Sequence, residues 1–140
     1  MPNALRFRNL RRLHNSLDLA QMATNPPVDH LRIEHPRFPW YIDIQASHPN
    51  GITVWDILIQ LFHQMHTPIA GRHFWNEELG DAERNAITAA FQRRCAGDQA
   101  IIQRGVVRVD FLGIDSYKFV LVGFSRGKNG MWKMKTERDI

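Results

Sequence analysis

Ile52-Thr53-Val54-Trp55-Asp56-Ile57-Leu58-Ile59-Gln60-Leu61-Phe62-His63-Gln64-Met65 satisfies every local rule for an amphipathic helix at once, and the rest of the chain has to cover it. Thr53 is placed to cap the helix, with Asp56 three residues later closing a capping box over the free N–H groups of the first turn. Ile52 and Ile57 have the spacing of a hydrophobic staple. Val54, Ile57, Leu58, Leu61, Phe62 and Met65 recur at the i, i+3, i+4, i+7 spacing of one broad apolar stripe, and Asp56, Gln60, His63 and Gln64 fall on the opposite, wet side. Pro68 ends the helix one turn after Met65.

What covers the stripe is a sheet. Upstream, Ala4 to Leu10 alternates as a strand with one basic side, and Leu13 to Met22 reads as a short helical or irregular crossing, closed by Pro26 and Pro27. Leu31 to His35 and Trp40 to Ala46 read as the two strands of a hairpin, joined by Pro36-Arg37-Phe38-Pro39, where two prolines stiffen the loop. Downstream, Phe74 and Trp75 belong to a short helix or packed loop. A second helix runs from Asp81, its expected cap, to Cys95, with Gly97 as its stop; Ile87, Ala90, Phe91 and Arg94 share one side, and close packing on the first helix is expected. Val106 to Leu112 alternates as a strand. Tyr117 to Phe124 is nearly all apolar, the pattern of a strand covered on both sides or central in its sheet. Asn129-Gly130 supplies turn chemistry, and Met131 to Thr136 returns with Trp132 and Met134 inward and Lys133 and Lys135 outward.

A chain of 140 residues that is 44% hydrophobic fits one domain, residues 1–140, with a core large enough to need no staple. Cys95 is the single cysteine, so an intramolecular disulfide and a finger-type zinc site are both excluded. Arg6 and Arg8 interrupt any secretory apolar run, and no stretch approaches the length of a membrane span, so an intracellular setting, cytoplasm or nucleus, is expected. The net charge of +4 is uneven. Residues 1–12 hold four arginines and no acid and residues 123–140 hold five basic against two acidic groups, while the middle holds nine basic against twelve acidic. Basicity thus belongs to the two ends.

The run Ala23-Thr24-Asn25-Pro26-Pro27, then Leu31-Arg32-Ile33, the Pro36 to Trp40 loop, Gly51-Ile52-Thr53-Val54 with Asp56, Thr67-Pro68-Ile69, Arg93-Arg94, and Gly105 through Arg108-Val109-Asp110-Phe111-Leu112 together resemble an uncharacterised domain family common in mushroom-forming fungi. The resemblance spans about Ala4 to Met134. It implies an intracellular α+β domain and carries no activity, cofactor or catalytic residue with it.

Chemistry-bearing patterns are sparse. His63 and His66 are three apart and His73 follows, but no acid accompanies them in an HExxH arrangement, and surface histidines explain them better than a metal. Cys95 sits at the wrong end of its helix to be activated as a thiolate, and no serine lies in a Gly-x-Ser-x-Gly context. The glycines from Gly123 to Gly130 join two strands, which a turn explains without a phosphate. No cofactor or metal is therefore expected. Asp56, Arg94, Arg108 and Asp110 are charges set in apolar runs, expected as a buried ion-paired network; an acid–base pocket around Asp56, Arg94 and Asp110 is the enzymatic alternative.

These readings give an α+β fold, an antiparallel sheet of about five to six strands with two main helices packed on one face. No motif fixes a biochemical function. The first expectation is a non-catalytic module that binds an unknown protein partner or itself through Phe38, Trp40, Trp55 and Trp75; exposed aromatics would support it and buried ones would remove its basis. The second is nucleic-acid or polyanion binding by a basic strip of Arg6, Arg8, Lys133 and Lys135, although an RNP-type pattern is missing. No membrane partner is expected.

Overall fold

The computed structural model describes residues 19–113 and 119–138. The expected strand at Ala4 to Leu10, with Arg6 and Arg8, lies outside the described residues, as does most of the Leu13 to Met22 crossing.

The deciding helix, α1 (Val54–Met65), forms as its sequence requires. Asp56 N–H donates to Thr53 Oγ1 at 3.1 Å and Thr53 N–H donates to Asp56 Oδ2 at 3.0 Å, so the capping box is reciprocal. The entry to α1 is equally constrained. Gly51 has φ of +127°, and a Cβ there would stand 2.9 Å from Pro27 Cβ, so glycine is required on both counts. Ile52 is fully buried, and its backbone bonds to Val28 and Ala23 tie the helix entry to the segment before the first strand.

Strand β1 (His30–Glu34) pairs antiparallel with β2 (Ile42–Gln45), and the hairpin between them is the expected one, although β2 begins at Ile42 and leaves Trp40 in the loop. After α1 come α2 (Gly71–Phe74), α3 (Asp81–Cys95) and α4 (Gln99–Arg104). Gly80, not Asp81, occupies the N-cap of α3. The Ala100 to Gln103 stretch is helical, with Asp98 capping it by accepting from Ala100 N–H. A 3₁₀ helix follows at Arg108–Leu112, then β3 (Phe119–Arg126), a tight turn at Lys128–Gly130 with Asn129 and Gly130 both left-handed, and β4 (Trp132–Arg138).

Among the described residues the sheet has four strands in the order β2-β1-β4-β3, and it is mixed: β4 runs antiparallel to β3 and parallel to β1. Five or six antiparallel strands were expected. The discrepancy traces first to Val106 to Leu112, which is 3₁₀ instead of strand. Asp110, Phe111 and Leu112 are buried consecutively, which no half-buried strand allows, and Asp110 folds back to accept from Val107 N–H at 2.9 Å. The second correction concerns β3. Its apolar run suggested a strand covered on both sides or central, yet among the described residues it has a strand neighbour on one side only, with Leu121 37% and Val122 48% exposed.

The inner face of the sheet contributes Leu31, Ile33, Ile42, Ile44 and Met134 to one core with Ile57, Leu61 and Met65 of α1, Ile87 of α3, and Phe111 and Leu112. Burial on this scale, at roughly 25 cal/mol per Å² of apolar surface, is what holds the layers together. Helix α1 lies on β2, whereas α3 packs mainly against the 3₁₀ helix, which α1 also touches. The two long helices thus meet through that segment.

The wet side of α1 is not simply wet. Gln60 accepts from Gln45 N–H at 3.0 Å and donates to Gln45 C=O at 2.7 Å, and Gln64 donates to Asp43 C=O at 2.8 Å. Side-chain amides thereby occupy backbone groups on the outer edge of β2. Asp56, expected on the same wet side, is buried by its cap.

Candidate interaction groove

The loop between β1 and β2 is stiff for reasons beyond its two prolines. Phe38 N–H donates to His35 C=O at 3.0 Å, Arg37 N–H donates to His35 Nδ1 at 3.1 Å, and the Arg37 guanidinium donates to Leu112 C=O at 2.6 Å, pinning the loop to the end of the 3₁₀ helix. Phe38 stacks on Trp40 with centroids 5.1 Å apart, and Trp40 meets Phe111 edge-on at 4.8 Å. Between this loop and α3 lies a groove of about 540 Å³. Phe38, Leu79, Ile87 and Phe111 make its apolar floor, and Glu78 and Glu83 stand among its lining groups.

The four aromatics singled out in the sequence are placed differently from one another. Phe38 is buried at 8% exposure and serves as floor, so it is not the projecting anchor expected of it. Trp40 is half-buried behind it, with its indole Nε1 enclosed and unbonded. Trp75 is the exposed one, at 72%, next in sequence to groove-lining Asn76 and covered on one side by the Arg84 guanidinium at 5.4 Å. Trp55, 37% exposed, belongs to a second groove, of about 500 Å³, beside Met22 and His48.

The charges singled out as buried fall into separate sets. Arg94 grips Asp110 with two bonds, of 2.9 and 3.0 Å, and also reaches Gly105 C=O at 3.2 Å, while Asp110 has no exposed surface. The Asp110 hydrogen bond raises the Arg94 pKa above its ordinary value. Asp56 belongs to the α1 cap, where burial pushes its carboxyl up but the Ser47 hydroxyl at 2.6 Å, the Thr53 amide and the Ser47 amide outweigh that and hold it below the usual range. Arg108 lies over the Trp40 ring at 5.0 Å with Nε enclosed and unbonded, and burial lowers its pKa. None of Asp56, Arg94 and Asp110 lines either of the two larger grooves, and no hydrogen bond between described residues joins Asp56 to the other two.

Of the basic strip, Lys133 and Lys135 are exposed on β4, with Glu34 opposite Lys133 in register; Arg6 and Arg8 fall outside the described residues. His63 is exposed, His66 Nδ1 is within 2.9 Å of Phe62 C=O, and His73 Nδ1 accepts from Ala70 N–H. Among the described residues no group of three or more His, Cys, Asp or Glu side chains is arranged to hold a metal ion. Among the described residues no helix is long and apolar enough to cross a membrane.

Sequence reasoning missed the α3 wall of the groove. Its visible trace is the acidic run Glu77, Glu78, Asp81, Glu83 following Trp75, of which the sequence reading used only Asp81, as the expected cap of the second helix. Comparison with known families matches residues 1–130 to the model of a family of unknown function, DUF6699. No curated protein and no solved structure matches the chain.

Proposed function

The chain belongs to the DUF6699 family of unknown function, and we propose that it is a non-catalytic interaction module whose partner seats in the groove between the Pro36–Pro39 loop and α3. One observation carries this reading: a concavity of about 540 Å³ with an aromatic and aliphatic floor, in the range of ligand-sized sites. The floor is held by the Phe38–Trp40 stack and the Arg37 anchor, so a partner would not have to order it on binding. Trp75 supplies the exposed aromatic beside it. The motif resemblance supports a family home in mushroom-forming fungi, and the single cysteine supports an intracellular setting.

Ala82 is exposed on α3 and lines the groove, so Ala82→Trp fills the groove from outside the core. Random peptides displayed on phage and selected on the folded protein should enrich sequences that Ala82→Trp no longer retains. Equal retention by both proteins, or no enrichment, would sink the reading.

Self-association is the second reading. It rests on β3, whose outer edge has no strand partner among the described residues and carries exposed Leu121 and Val122.

A further inference from the structure

The groove carries two carboxylates on its α3 side against the single guanidinium of Arg37 on its loop side, and that imbalance specifies an occupant. Glu78 and Glu83 line it and Glu77 adjoins it. Among the described residues none of the three forms an ion pair. The local cation, Arg84, is already engaged: it bonds Asp81 at 3.0 Å and Leu79 C=O at 2.8 Å and lies over Trp75. Arg37 at the opposite wall is bonded to Leu112 C=O. The Glu83 carboxylate lies against Gly80 at the start of its own helix, where an added Cβ would stand 2.7 Å from its Oε2; glycine leaves the room for that carboxylate.

An apolar floor beside uncompensated carboxylates repels acidic segments and anionic lipid alike, and complements a cation carried next to an apolar anchor. We propose that the groove binds a peptide segment of a protein partner in which one large apolar side chain is flanked by Arg or Lys. The apolar side chain rests on Phe38, Leu79 and Phe111, and the flanking cations face Glu78 and Glu83. Trp75, 72% exposed and next in sequence to groove-lining Asn76, has one ring face taken by Arg84 and offers the other to a second cation. This inference rests on the groove reading above.

The test uses the whole chain and a fluorescein-labelled probe, Gly-Ser-Arg-Phe-Arg-Leu-Ser-Gly, followed by anisotropy. A matched probe carries Glu in place of both Arg residues. The Arg probe should bind saturably and weaken as salt rises; it should lose about five- to tenfold in affinity on Glu78→Lys/Glu83→Lys, the size expected of two rim charges. The Glu probe should gain on that same variant. Because both glutamates are exposed, a thermal melt checks that the variant is folded. If both probes bind alike and Ala82→Trp abolishes both, the charge inference is overturned and the groove stands. If Ala82→Trp leaves binding unchanged, both fall. No binding of the Arg probe overturns the charge inference, and the phage selection then judges the groove by itself.

Discussion

Asp110 is fully buried, yet both of its oxygens are occupied, by two donors from Arg94 and by Val107 N–H. With three of its four lone-pair positions taken and no exposed surface, the carboxylate ties the last turn of α3 to the start of the 3₁₀ helix. Removing one partner of such a pair strands the other, so Asp110→Asn should lower unfolding stability by about 3 kcal/mol in a urea titration. A loss under about 1 kcal/mol would mean that the pair is not structural and would return Asp110 to the acid–base alternative. The sequence pointed at this residue because a charge in an apolar run needs a partner, and it named Arg94 in the same group. The capping box already placed Asp56 with Thr53, yet Asp56 was also grouped with Arg94 and Asp110, because Arg94 reaches Asp110 across sixteen positions and nothing local marks that pair as separate. Nor could the sequence show that Arg108 pairs with an aromatic face in place of an acid.

At the scale of elements, α1 was legible because capping, staple and apolar stripe are all local and agree. The 3₁₀ helix was not, because the alternation of Val107, Val109 and Phe111 is a strand pattern until a distant Arg94 fixes Asp110. The use of Gln60 and Gln64 was equally hidden: polar residues on a helix look solvated unless a sheet edge lies beside them. Gln60 acts there as a surrogate strand residue, accepting from Gln45 N–H and donating to its C=O. Gln60→Ala should speed hydrogen exchange at the Gln45 amide and cost roughly 1 kcal/mol of stability, the net worth of hydrogen bonds that water can partly replace. Unchanged exchange at Gln45 would show that the edge of β2 is protected by something other than this amide.

At the scale of the whole molecule, the two edges of the sheet among the described residues are treated unequally. At one, α1 closes β2 with side-chain amides; at the other, β3 presents eight residues with charge only at Arg126 and with Leu121 and Val122 facing water. Sequence could not order these edges, because the parallel contact between β1 and β4 joins segments about a hundred residues apart, and an apolar run reads the same whether its cover comes from within the chain or from a partner. The register shift between Leu121 and Gly123 twists β3 locally, and among the described residues the outer edge of β3 has no strand partner. Edge strands of this kind pair with one another unless a charge intervenes, and a lysine is the usual deterrent. Light scattering coupled to size exclusion should therefore find a concentration-dependent dimer for the native chain that high salt does not dissolve, since apolar contact and backbone pairing hold it. Val122→Lys should shift that dimer to monomer with little change in melting temperature, because Val122 is nearly half exposed in the single chain. A native chain that stays monomeric as concentration rises, or a dimer that Val122→Lys leaves intact, would remove β3 as the interface and leave the α3 groove as the one proposed binding surface still to be tested.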